Sequence, residues 1–152
     1  MLLIPEYMDD NDIALKARQA IYDGDRVEFR KTYSALKQVD CRDKDGNTLL
    51  HHAAWCGEDE MVKYILDDAR EKNISLANAV NHEGQTPLHL AAKAHEGRPL
   101  HVIKELLSTV KNRIPANPNI TNKRGETPAM MAKRLTTPFA QNACATRQKL
   151  TA

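Results

Sequence analysis

Glycine and aromatic residues are scarce in this chain of 152 residues, which has six glycines and 5% aromatic side chains. The spacings GxGxxG and GxxxxGKS/T do not occur, so no phosphate-binding loop is predicted. No serine lies in a GxSxG context, which excludes that signature of a hydrolase. A core must therefore be built mainly from Ala, Leu, Ile, Val and Met, and no catalytic motif is evident.

Cysteines and long hydrophobic runs are scarce as well. Cys41, Cys56 and Cys144 form an odd set without CxxC spacing, so neither a disulfide framework nor a zinc ribbon is predicted. No apolar run approaches the roughly 18 residues of a membrane-spanning helix. The first residues also lack the basic start of a secretory signal. We therefore expect an intracellular protein with reduced thiols, located in the cytoplasm or the nucleus.

Charge is distributed unevenly along the chain. Residues 1–76 contain 11 Lys/Arg and 16 Asp/Glu, a net charge of −5, whereas residues 77–152 contain 11 Lys/Arg and 4 Asp/Glu, a net charge of +7. In an elongated fold, this asymmetry would give the molecule an acidic end and a basic end. The basic residues of the second half include Lys93, Arg98, Lys104, Lys111, Arg113, Lys123, Arg124, Lys133 and Arg134.

Three segments of the chain share one pattern, namely Asp or Asn, two variable residues, Gly, one variable residue, Thr and a helix-forming run. They occupy residues 43–54, 81–92 and 122–133, and their threonines are 38 and 41 residues apart. The Asp/Asn and Gly positions predict a tight turn, because Gly adopts a positive φ without strain. The threonine predicts a helix N-cap. Pro87 and Pro128 follow at the first helical position, where a missing N–H is tolerated.

A second helix is predicted after each of the first two repeated segments. Apolar residues recur with i, i+3, i+4 spacing in residues 58–66 and 100–110, which is typical of a helix with one buried face. Residues 67–73 and 108–113 lengthen the repeats and contain no Gly or Pro, so we expect them to extend these helices. A third insertion occupies residues 95–99.

With these motifs, the chain resembles ankyrin-repeat proteins. The TPLH signature of that family is present as Thr86-Pro-Leu-His89, as Thr48-Leu-Leu-His51 and, in weaker form, as Thr127-Pro-Ala-Met130. The resemblance implies an all-α solenoid of about four stacked helix–turn–helix repeats with degenerate terminal repeats. The implied divisions are an N-terminal tail (1–12), a degenerate capping repeat (13–39), two repeats (40–76 and 77–117) and a C-terminal capping repeat (118–152).

The resemblance also implies details within these repeats. In the opening repeat, Val27, Tyr33 and Leu36 are expected to line the core from the second helix. In the closing repeat, residues 138–150 would form the outer helix. His51 and His89 occupy the position of the family's structural histidine, which ties a helix start to the neighbouring turn.

One pair of residues suggests chemistry other than binding. His52 and Cys56 are four residues apart on one predicted helix and could hold a metal ion or activate a thiolate. No third or fourth ligand follows at a usable spacing. We therefore expect no metal, no cofactor and no enzymatic activity.

Protein binding is the function that the resemblance implies. In ankyrin-repeat proteins, the contact surface is concave and consists of turn tips and the exposed face of the inner helices. Trp55 is the only tryptophan and falls on this face. It would be either an interface hot spot or a residue that packs against its neighbouring repeat or lies flat on its own helix. Asn47, Gln85 and Glu126 also occupy turn-tip positions. The predicted partner-binding residues are Trp55, Lys44, Asp45, His82, Glu83, Lys93, Lys123, Arg124 and Arg134.

The charge pattern bears on the kind of partner. We expect the basic residues of the second half, Arg113 among them, to form a second candidate surface, which favours a protein with an acidic segment. Aromatic residues are not interleaved with these charges, which disfavours nucleic acid. We expect a monomer, with weak head-to-tail self-association of the acidic and basic ends as an alternative.

Three function classes remain open at this point. The first is a stand-alone inhibitor or adaptor, similar to the IκB-like inhibitors of Rel-type transcription factors, including those that viruses make. The second is an effector that an intracellular bacterium or a virus directs into a host cell. The third is a targeting domain of a larger enzyme. Met1 argues against truncation at the front, whereas the end of the chain just after the last predicted helix leaves truncation at the back open.

Overall fold

The computed structural model describes residues 9–94, 99–109 and 113–136 of the chain. These residues form seven α-helices and no strand, so the predicted all-α fold is confirmed. The helices are α1 (Asp10–Asp23), α2 (Arg26–Ala35), α3 (Leu49–Cys56), α4 (Asp59–Glu71), α5 (Pro87–Lys93), α6 (Pro99–Leu107) and α7 (Pro128–Thr136).

The helices stack in two rows. The inner row consists of α1, α3, α5 and α7, in which each helix packs against the next. In the outer row, α4 packs against α6, and each outer helix also packs against the inner helix of its own pair. A continuous core of Ala, Leu, Ile and Val side chains runs between the rows, as expected of a solenoid.

The helix starts are encoded locally, as the repeated pattern predicts. The Thr48 and Thr86 hydroxyls accept hydrogen bonds from the backbone N–H groups of His51 and His89, and the two imidazoles accept from the backbone N–H groups of the threonines. Each pair is thus a capping box, which satisfies two otherwise unpaired donors at the helix start. Prolines occupy the first position of α5 and α7, so this prediction is confirmed as well.

The opening repeat differs from the prediction at one position. Phe29, Thr32 and Tyr33 form the buried face of α2, and Leu36 is buried just after it. Val27 is 72% exposed, so its predicted place in the core is wrong. It lies two residues before Phe29, and two residues turn a helix by more than half a revolution, to the opposite face.

Of the two segments that were expected to extend helices, residues 67–73 and 108–113, only the first does so. Helix α4 continues to Glu71, which confirms the predicted extension. Helix α6 ends at Leu107, so its predicted extension through residues 108–113 is wrong. The Leu106 carbonyl accepts a hydrogen bond from the Ala116 N–H (2.8 Å), although a continuing helix would pair that carbonyl with residue 110. The predicted outer helix at 138–150 and residues 95–98 lie outside the described residues.

Candidate binding face

Three turns with the same hydrogen-bond pattern precede α3, α5 and α7. In the first turn (residues 43–47), Asp43 Oδ1 accepts from the backbone N–H groups of Asp45 and Asn47 (2.9 Å each). In the second turn (residues 81–85), Asn81 Oδ1 accepts in the same way from residues 83 and 85, and Asn122 does so in the third turn (residues 122–126). The side chain that opens each turn therefore fixes the conformation of its tip.

Neighbouring turns are also joined to each other. The His82 N–H donates to the Asp45 carbonyl, and the Lys123 N–H donates to the Glu83 carbonyl (3.0 Å each). Between these residues the backbones approach so closely that a Cβ on Gly46 would lie 3.0 Å from the His82 backbone nitrogen. The three tips thus form a row with fixed spacing rather than three independent loops.

Two buried histidines connect the helix starts to this row of turns. Each imidazole Nδ1 accepts from its own threonine N–H, so Nε2 carries the proton. His51 Nε2 then donates to the Gln85 carbonyl, and His89 Nε2 donates to the Glu126 carbonyl (2.9 Å each). Burial lowers the pKa of His51 to about 4 and also lowers that of His89, which keeps both rings neutral near pH 7. The structural role that the resemblance implied is confirmed.

Two adjoining grooves lie between the row of turns and the inner helices. Groove A, of about 420 Å³, lies between the first and second turns, and groove B, of about 430 Å³, lies between the second and third turns. Glu83, Gln85 and Lys93 line both grooves, so the two form one concave face. Of the predicted partner-binding residues, this face brings together Asp45, Trp55, His82, Glu83, Lys93, Lys123, Arg124 and Arg134.

Two turn residues are placed differently from the prediction. Lys44 lies outside the concave face and lines a separate groove between α1 and the first turn. Gln85 was expected at an exposed tip but is 6% exposed, because it lies where the turn enters α5. The repeated pattern locates the turns, but it does not determine in which direction each side chain of a turn points.

Trp55 lies in groove A with 38% of its surface exposed. The Lys93 ammonium, which comes from the next inner helix, lies 5.3 Å from the centroid of the indole ring. This distance is typical of a cation–π contact. The indole therefore contacts a side chain of the neighbouring repeat and still presents apolar surface to the groove.

A hydrogen-bonded chain at the edge of groove A was not predicted from the sequence. The Tyr22 hydroxyl contacts His52 Nδ1, and His52 Nε2 contacts Asp43 Oδ2 (2.8 Å each). Burial would raise the pKa of Asp43, but hydrogen bonds from the first turn and from His52 hold that pKa below its usual value. Burial lowers the pKa of His52. No local signal identifies Tyr22, since its contact with His52 arises only when α1 packs on α3.

His52 therefore serves as a link between α1 and the first turn. Among the residues that the structure describes, no group of three or more His, Cys, Asp or Glu side chains could hold a metal ion. The described helices also include none that is both long and apolar enough to cross a bilayer.

The basic residues differ in how much charge they present. Arg113 is 8% exposed, and its guanidinium contacts the carboxylates of Asp67 (2.7 Å) and Glu105 (2.8 Å), so its expected place on a basic surface is wrong. Arg134 pairs with Glu126 at 3.0 Å. Lys123 and Arg124 are exposed and form no ion pair within the described ranges. Among the described residues of the concave face, Lys93, Lys123 and Arg124 are thus the basic residues that no carboxylate neutralises.

Comparison with known proteins gives consistent matches. A family model described as ankyrin repeats (three copies) matches residues 18–112, which is more than half of the chain. Diacylglycerol kinase zeta of Rattus norvegicus is 33% identical over 93 residues, which cover 61% of this chain and 9% of that protein. NAD-dependent deacetylase sir2B of Dictyostelium discoideum is 30% identical over 113 residues, which cover 72% of this chain and 14% of that protein.

Diacylglycerol kinase iota of Homo sapiens is a further similar protein. It is 27% identical over 120 residues, which cover 79% of this chain and 10% of that protein. The chain therefore spans between 9% and 14% of the length of these curated relatives.

Proposed function

Because this chain belongs to the ankyrin-repeat family, a family of protein-interaction modules, we propose that it binds a partner protein through the concave face formed by grooves A and B. The observation that carries the proposal is Trp55, which lines groove A with 38% of its surface exposed and lies beneath the Lys93 ammonium. Tryptophan is enriched among residues whose truncation strongly weakens an interface. A rigid row of turns loses little conformational entropy on binding, which favours affinity.

The second part of the proposal concerns the charge of the partner. Lys123 and Arg124 stand exposed on the third turn and form no ion pair within the described ranges. Such charges at the edge of a binding face act mainly on the association rate and on its salt dependence. We therefore propose that an acidic segment of the partner passes over groove B. Such a binding face is sufficient for an inhibitor or adaptor that acts by covering a surface of its partner, as an IκB-like inhibitor would.

A second candidate function is supported by the comparisons. The similar proteins include two diacylglycerol kinases and a deacetylase, and the similarity covers only a small part of each. Such matches favour a targeting module that is attached to a larger enzyme. An immunoblot of the native protein would distinguish the two candidates, since the chain alone has a mass of 17.1 kDa.

Affinity capture from lysate with Trp55→Ala tests the proposed face. We expect Trp55→Ala to lose a partner that the parent protein retains, because the substitution removes the indole from the centre of groove A. The matched control is Leu100→Ala, which truncates a 70% exposed apolar side chain on the outer helix α6. If Leu100→Ala loses the partner and Trp55→Ala retains it, the concave face is not the binding face.

A further inference from the structure

Groove A already contains a positively charged group. The Lys93 ammonium lies over the face of the Trp55 indole, at 5.3 Å from the ring centroid. Within the described residues, Lys93 forms no ion pair and no hydrogen bond from its side chain. The negative face of the indole ring is therefore a site that attracts a cation, and a side chain of the next repeat occupies it in the unbound protein.

Two carboxylates stand close to this site without neutralisation. Asp45 and Glu83 are exposed on the first and second turns, and both line groove A. Their backbones are fixed, since each N–H donates to the side chain that opens its turn. Neither carboxylate forms an ion pair among the described residues, and the Lys93 ammonium lies over the indole. A charged donor from outside would gain from these two acceptors.

The hydroxyl of Tyr22 adds a third acceptor. Asp43 is ionised near pH 7 and accepts a hydrogen bond from His52 Nε2, so Nδ1 of the neutral ring carries no proton. The Tyr22 hydroxyl must then donate its proton to His52 Nδ1. Its oxygen, which lies on groove A, can only accept a further hydrogen bond. Groove A thus combines an aromatic face with three acceptors, and that combination suits an N–H donor with a positive charge.

We propose that groove A binds an arginine or lysine side chain of the partner, which displaces Lys93 from the face of Trp55. This inference rests on the proposed function, in which the concave face is the binding face. With a cationic residue in groove A and an acidic segment over Lys123 and Arg124, the two grooves fix the direction in which the partner lies across the face.

NMR titration of the ¹⁵N-labelled protein with N-acetyl-argininamide and with N-acetyl-lysinamide tests the proposal without a partner. We expect saturable shifts at the Trp55 indole N–H and at the Glu83 amide, and no such shifts with neutral N-acetyl-glutaminamide. Asp45→Asn combined with Glu83→Gln should weaken binding about fivefold or more, because two charge-assisted acceptors are lost. Lys93→Gln should strengthen binding about twofold or more, because a competing cation is removed.

A matched variant controls for general charge effects. Glu71→Gln removes a mostly exposed carboxylate at the end of α4, away from groove A, and should leave binding unchanged. The proposal is overturned if the Trp55 and Glu83 signals do not shift, or if Glu71→Gln weakens binding as much as the groove variant does. Because the readout needs no partner, a negative result here leaves the outcome of the Trp55→Ala capture intact.

Discussion

His51 and His89 show how single buried residues connect neighbouring repeats. Each imidazole receives a hydrogen bond from its own helix start and donates one to the next turn. A protonated ring would lose its acceptor at Nδ1 and would carry a charge into the core. Both roles require the neutral form, and burial provides it by lowering the pKa of both rings.

The stability of the protein should therefore fall as the solution is acidified. The pKa of His51 is about 4 in the folded state and about 6.5 in the unfolded state, so the unfolded state binds the proton first. The contribution is complete above pH 7 and decreases as the pH falls below 6.5. We expect His51 alone to lower the free energy of unfolding by on the order of 2 kcal/mol between pH 7 and pH 5.

Urea denaturation at these two pH values measures this effect. His51→Gln should lose less stability on acidification than the parent protein, by about the amount that His51 contributes. His101→Gln makes the same exchange at an exposed position on α6 and serves as the control. An identical pH dependence in the parent and in His51→Gln would show that the buried ring is not the titrating group.

For single residues, the sequence predicts the role of the structural histidines well and the position of the proposed binding residues in part. The TPLH signature identifies His51 and His89 because their partners lie at fixed positions in each repeat. The sequence gives no sign of the contact between Tyr22 and His52 or of that between Arg113 and Asp67, because these partners are 30 and 46 residues apart and no local pattern connects them. Local sequence patterns cannot predict contacts between distant residues when the spacing of those residues does not repeat along the chain.

The turns are the elements that set the spacing of the concave face. Each contains a glycine with φ between 73° and 79°, in the left-handed region that other residues enter only with strain. The glycines differ in their surroundings, because successive turns pack in one direction. A Cβ on Gly46 would meet the His82 ring and, at 3.0 Å, the His82 backbone nitrogen, whereas a Cβ on Gly125 would meet none of the described residues within 4 Å.

This difference separates backbone strain from contact between repeats. Gly125→Ala should cost about 1 kcal/mol of stability, the usual penalty for the left-handed conformation. Gly46→Ala should cost about 1 kcal/mol more, because its Cβ overpacks against the second turn, where the His82 N–H is already bonded to Asp45. Urea denaturation of the two variants measures the difference. If the two variants lose the same free energy of unfolding, the contact between the first and second turns does not contribute to stability.

Helix starts and helix ends also differ in how well they can be predicted. The starts of α3, α5 and α7 follow from Thr and Pro residues that act within a few positions. The end of α6 depends on a hydrogen bond from Ala116, and the exposure of Val27 depends on which face of α2 meets the core. The end of α6 and the rotation of α2 therefore depend on tertiary contacts, whereas α1 and α3 end at Gly24 and Gly57, which adopt the left-handed conformation.

For the whole molecule, the repeats combine into one concave face whose acidic and basic residues lie in different places. Acidic residues of the first and second turns border groove A, and basic residues of the third turn border groove B. The net charges of −5 and +7 in the two halves of the sequence indicate this polarity, although they overstate it. Arg113 and Arg134 are paired with carboxylates, so part of the positive charge holds the solenoid together instead of facing a partner.

Site-specific photo-cross-linking tests the central claim most directly. A photoreactive amino acid at His82, an exposed position on the second turn, would report contacts with groove A, and the same residue at Leu100 would report contacts with the outer helix α6. We expect irradiation in lysate to yield a cross-linked partner from position 82 and none from position 100. A partner that cross-links from position 100 but not from position 82 would contradict binding through the concave face.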